Sequence, residues 1–334
     1  MKLIFTADDY GVFDEIDDAV IEAVKAGRIN SVAILPNGPN LKRRIEKLKR
    51  AIPRGQGVDL GCHLTFCSGK PLAASKPLKN FVDGKYFRPF GKLKRASERN
   101  REEEIDYLQT EIRAQIRALQ EAGVEDIKHF TCHHNTLMWF EDYFLAFLEV
   151  VASTDGGNIP IRSPFFLPDS LFETYRKIAV PIKNKFFFFR GNNTYDNYRR
   201  WQKNFGERVP HYLQSYGTQT IDGTYTNHYG PAGGARLENH EIDFQVAKRK
   251  HPVLTEISAK NRDGTYEVVF HLIRDDYTKR NKFRKKLKAH KRKRGVDSYP
   301  GISPGYVDGR MAEMRSLMSY DVYEIPFTSW TKPN

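Results

Sequence analysis

The sequence is poor in cysteine, in long apolar runs and in internal repeats, and each shortage narrows the reading. Three cysteines, Cys62, Cys67 and Cys132, are too few for a disulfide framework and lack four-ligand thiolate spacing. A reducing, cytoplasmic setting is the expectation. No stretch approaches roughly 18 uninterrupted apolar residues, so no membrane span is expected. No charged segment, apolar core and small-residue cleavage site open the chain, so no leader is expected either. Acid is missing from 279–294, KRNKFRKKLKAHKRKR, whose eleven Lys and Arg supply most of the net charge of +13. The charge is therefore a local device. It could meet nucleic acid or another polyanion, or be a solvated insertion.

What is present suits one barrel-sized domain or two smaller ones: 334 residues, 40% hydrophobic and 28% charged. The first apolar run, KLIFTADDYG, reads as a strand that delivers Asp8 and Asp9. Ile16, Ala19, Val20, Ala23 and Val24 recur at helical spacing before Gly27, with acids crowding the first turn. A second strand ends near Leu35, a helix covers 40–52, and a third strand runs from Val58 to Cys62 with His63 beyond it. This βαβαβ order implies parallel strands, whose carboxyl ends form one rim. A loop excursion follows at 69–98, with a small hairpin around Asp83-Gly84. A long helix spans 102–122, with Ile105, Leu108, Ile112, Ile116 and Leu119 as its buried stripe. The next strand, 127–132, delivers His133. A helix at 139–151 and the strand-like IPIRSP come after it. Later, HYLQSYGTQTIDG reads as a strand and turn, and GTYEVVFHLI as the clearest late strand.

Asp8, Asp9, His63 and His133 thus fall at the same end of successive strands. Singly, each reads as a turn residue or a capped strand end. Together they suggest an open metal site, with one carboxylate as ligand and the other accepting a proton from water.

These residues carry a resemblance to the YdjC-like carbohydrate deacetylases. The matching islands are TADDYG (6–11), NGP (37–39), DLGCHLTF (59–66) with GKPL (69–72), KHFTCHH (128–134), IPIRSP (159–164) and SPGYVDGR (303–310). The resemblance implies a single domain over 1–334, an α/β, distorted (β/α) barrel-like fold with rim loop insertions. It implies metal-dependent removal of acetyl groups from N-acetylated sugars. Asp8 would be the general base, with Asp9, His63 and His133 holding Mg or Zn. Arg162 would orient a substrate or a carboxylate.

The chain also departs from that family. After the 128–132 strand the family usually has Asp-Ser-His-x-His-x-His, where this chain has Asn135 and Leu137 at the two later histidines. The His of the usual His-Pro-Gly-Tyr is matched to Ser303, which cannot serve as an imidazolium acid. His134, His228 and His271 are the candidate substitutes, His271 first. Pro326 to Ser329 only approaches the usual closing segment, so a shortened closure is expected. The alternative function is an impaired deacetylase-like protein that binds a saccharide or polyanion. A hydrolase of another amide lies between the two. A homodimer would be unsurprising.

Overall fold

Strand β1, Lys2–Tyr10, is buried from Leu3 onward. The computed structural model describes residues 2–75, 78–88, 98–138, 140–154, 158–164, 205–226, 264–274, 276, 281–288, 307–319 and 327–330. After β1 come α1 (Asp14–Lys25), β2 (Ser31–Ile34), α2 (Leu41–Ala51) and β3 (Asp59–Leu64). A two-stranded antiparallel hairpin, β4 (Val82–Asp83) and β5 (Tyr86–Phe87), turns at Gly84, whose φ of 62° suits glycine. Helix α3 (Arg101–Glu121), β6 (Phe130–Cys132) and α4 (Glu141–Ser153) complete the regular half.

The second half adds α5 (Val209–Ser215), β7 (Gly223–Thr226), β8 (Thr265–Phe270), a helix α6 over 281–288 and α7 (Val307–Ser319). The strand expected in HYLQSYGTQTIDG is helical over 211–215, turns at 216–217, and is extended only toward its end, where Thr220 bridges Ile161 and β7 begins at Gly223. Pro210 sits at the first turn of α5, where its missing N–H costs nothing, and Val209 and Leu213 bury one face at i, i+4.

The main sheet has the order β6-β3-β2-β1-β8-β7, and all its pairs are parallel. It curls until Ile161, bridging Phe130 on one side and Thr220 on the other, links the two edges. The α/β barrel-like expectation holds as a curled, open sheet, its gap spanned by the single bridges of Ile161.

Two apolar clusters follow from strand alternation. Leu3, Phe5 and Ala7 belong to the large core between sheet and helices, whereas Ile4 meets Ile221 and Trp330 in a small inner cluster. Residues 327–330 lie against the open start of β1, where Thr328 N–H donates to the Leu3 carbonyl at 3.0 Å. Trp330 is fully buried, stacked on His129 at 4.6 Å, and donates its indole N–H to Ser31 Oγ at 3.0 Å.

Half of the basic run lies in α6. Phe283 and Leu287 bury its apolar side, and Lys286 pairs with Glu15 of α1 at 2.9 Å. Residues 289–294 and the aromatic run 186–189 lie outside the described residues. Among the described residues, no helix is long and apolar enough to cross a membrane.

Candidate metal centre

Adjacent strand residues ordinarily face opposite ways, so Asp8 and Asp9 need a local device to share a site. The ladder provides it. Ala7 pairs with Val32 but Tyr10 pairs with Ile34, so β1 carries one extra residue in a bulge. Asp9 takes up the irregularity with a φ of 68°. In consequence Asp8 Oδ2 and Asp9 Oδ1 lie 3.8 Å and 3.5 Å from the same atom, His63 Nε2. The turn after the bulge is fixed from α1, where Asp17 Oδ1 accepts the Gly11 N–H at 2.8 Å. The NGP island supports it from the next loop. A Cβ on Gly38 would stand 2.0 Å from the Gly11 carbonyl oxygen, so only glycine fits there.

His63 stands opposite Thr131 across the β3–β6 pair, with Nδ1 and the threonine Oγ1 2.6 Å apart. That contact occupies Nδ1 and leaves Nε2 toward Asp9. His133 follows β6 directly, and its Nδ1 lies 2.9 Å from Asp9 Oδ1. The ligand atoms of Asp9, His63 and His133 lie within 4.8 Å of one another, and all three residues are buried. His63 Nε2 has no hydrogen-bond partner among the described residues, and Asp9 Oδ1 is met by the two imidazoles alone. Orphaned buried donors and acceptors are costly, and here they converge on a common point. One carboxylate oxygen and two imidazoles fit a divalent cation with positions left open for water and substrate.

Of the two roles the sequence leaves for Arg162, the structure pairs its guanidinium with carboxylates. Nη1 and Nη2 donate to Asp8 Oδ2 and Oδ1, both at 2.8 Å. Nε and Nη2 donate to Glu267 Oε2 and Oε1 at 2.7 Å and 2.8 Å. All three side chains are buried. Burial alone would raise the Asp8 pKa, but the Arg162 charge, followed by that of His63, outweighs it and holds the carboxyl well below its ordinary value. Asp9 shows the same balance. Burial opposes ionisation there, and His133, His63 and Arg310 more than compensate.

Glu267, Arg310 and Glu313 were not singled out from sequence. Arg310 Nη2 donates to Asp9 Oδ2 at 3.0 Å, from α7. His271 follows β8 and faces the same rim, with Nε2 4.0 Å from Asp8 Oδ2 and the side chain 29% exposed. Glu313 of α7 fixes that turn by accepting the His271 backbone N–H at 2.7 Å. Burial pushes the Glu313 carboxyl up to about 8, and burial together with the Arg310 charge pushes the His271 imidazole down to about 4. A histidine directly after a strand was the signal that marked His63 and His133, and it applies equally to His271. His134 lies next to His133 with a left-handed φ of 56°. Ser303 and His228 lie outside the described residues.

The sequence model of the family described as YdjC-like protein matches residues 2–324. A carbohydrate deacetylase of Listeria monocytogenes serotype 4b is 30% identical over 135 residues, covering 40% of this chain and 52% of that protein. The match thus spans about half the length of that relative. A carbohydrate deacetylase of Listeria welshimeri is 30% identical over 191 residues, 54% of this chain and 75% of the relative. In overall fold, the chain is similar to the crystal structure of a candidate cellobiose-phosphate cleavage protein from Enterococcus faecalis. The TM-score is 0.56 at 19% identity, with 98% of this chain and 97% of that one covered.

Proposed function

The chain belongs to the YdjC-like family, and on that premise we propose that it is a metal-dependent hydrolase removing acetyl groups from N-acetylated sugars or oligosaccharides. The observation that carries the reading is the convergence of Asp9, His63 and His133 beside an arginine-bound Asp8. A divalent ion held by those three, Mg or Zn, would polarise the acetyl carbonyl and acidify water.

The remaining work falls to side chains. Arg162 and Glu267 fix Asp8 as an oriented carboxylate, and each of its oxygens keeps a lone pair for water. Asp8 accepts a proton as the water oxygen bonds to the carbonyl carbon. Breaking the C–N bond then requires a proton on the departing amine. We assign this step to His271: its imidazole starts neutral, takes up through one bridging water the proton that Asp8 accepted, and passes it to the nitrogen, the span from Nε2 to Asp8 Oδ2 being 4.0 Å. The products are acetate and a free amino sugar. The alternative of a binding protein without turnover rests on Ser303 and on the basic run 279–294, and His271 as the acid would answer the first of these.

The test is acetate release from a panel of N-acetylated oligosaccharides by protein loaded with Mg or Zn. Release that disappears in Asp9→Ala supports the reading. A fully loaded protein that releases no acetate from any member of the panel overturns it.

A further inference from the structure

The atoms of Cys67, His133 and His134 form a second set of ligand donors, again within 4.8 Å of one another. We propose that this set is an inhibitory site for thiophilic divalent metals, which competes with the catalytic site for His133. The proposal rests on the reading of Asp9, His63 and His133 as the catalytic ligands.

Three features support it. The first is shared membership, since His133 belongs to both sets. An ion seated by Cys67 and His134 draws on an imidazole that the catalytic ion needs.

The second is donor chemistry. The catalytic set offers a carboxylate and two imidazoles, which Mg and Zn both accept. The other offers a thiol and two imidazoles, which suit zinc-like ions and exclude Mg. Two donors on one tetrahedral zinc are about 3.6 Å apart at ordinary bond lengths, so side-chain shifts of about an ångström close the set.

The third is the rigidity of the Cys67 loop. Gln115 of α3 accepts the Thr65 N–H at 2.9 Å and donates to the Thr65 carbonyl at 2.7 Å. Glu111 accepts the N–H groups of Leu72 and Ala73 at 3.0 Å and 2.7 Å. Asn37 donates to the Ser68 carbonyl at 2.7 Å. The thiol is thus held next to the histidines by bonds on both sides of it. His134 is only partly buried and gives the set an approach from the rim. On binding, the Cys67 thiol proton passes to solvent and the thiolate bonds to the ion, with no redox change.

Cobalt titration followed by absorbance tests this directly, because cobalt–thiolate ligation gives an intense near-ultraviolet charge-transfer band. The band should grow in wild-type protein, vanish in Cys67→Ser, weaken in His134→Asn and persist in Asp9→Asn. In turnover assays, zinc beyond one equivalent should inhibit wild type but not Cys67→Ser, and excess magnesium should inhibit neither. Absence of the band at saturating cobalt overturns the proposal. So does its loss in both Cys67→Ser and Asp9→Asn, which would put Cys67 on the catalytic ion. If no acetate is ever released, the band still decides this proposal independently of the hydrolase reading.

Discussion

Arg162 grips Asp8 through two parallel hydrogen bonds, both 2.8 Å, and uses the other edge of the same guanidinium to hold Glu267. A planar fork can do this and an ammonium cannot. Asp8 is thereby charged, oriented and shielded from bulk water at once.

Removing the fork should be costly. Arg162→Met leaves two buried carboxylates without their cation and should destabilise the fold by about 3–5 kcal/mol near neutral pH. The folded Asp8 pKa lies below its ordinary 3.8, so the pairing contributes in full above that value and is lost as pH falls through the lower folded value. The gap between wild type and variant should therefore narrow in acid. Urea midpoints measured at neutral pH and again below pH 3.8 check both the size and the sign.

Asp8→Asn should keep the metal and lose turnover by about 10² to 10⁴, and His271→Gln should do the same. If the two share one proton relay, the double variant should be little worse than either single one. Metal content and acetate release are the readouts. An active Asp8→Asn protein would remove Asp8 from the role of base.

Thr131→Val keeps the shape of the side chain but removes the hydroxyl 2.6 Å from His63 Nδ1. The freed imidazole can rotate or change tautomer, and metal affinity should fall by about 10- to 100-fold. Calorimetric titration with zinc measures it. An unchanged Kd would mean that packing alone orients His63.

Gly61→Ala would set a methyl group 2.2 Å from two atoms of the His129 ring. The ring is buried against Trp330 and cannot retreat, so a loss of about 1–3 kcal/mol or more is expected. Adding His129→Ala should return part of it, and a double variant no more stable than Gly61→Ala would place the strain elsewhere.

Much of this site was legible because its residues follow apolar runs. Asp8, Asp9, His63 and His133 each stand at or near a strand end, and parallel topology brings such ends together. The β1 bulge was not legible, since no residue type encodes it and only the ladder with β2 reveals it. Glu267 sits inside β8 among apolar neighbours, and it is fully buried because the curled sheet has an interior. Glu111 and Gln115 lie beside the apolar stripe of α3 and are also fully buried, holding the loop after β3. Periodicity marks where apolar groups go but says little about buried polar groups bonded to a distant loop. The strand expected around 211–223 failed in its first five residues for a related reason, since a short Tyr-containing stretch serves either period until packing decides.

The length of β1 is as constrained as its composition. With one residue fewer between Ala7 and Tyr10, strict alternation would return and one of the two carboxylates would turn toward the apolar layer under the helices. An unpaired carboxylate there would cost several kcal/mol or be forced to take up a proton. Single-codon deletions across residues 7–10 should therefore be tolerated far less than deletions in the exposed turn at 54–55. For this protein, the passage from a chelating strand end to an inert one runs through a lost codon as readily as through a substituted ligand.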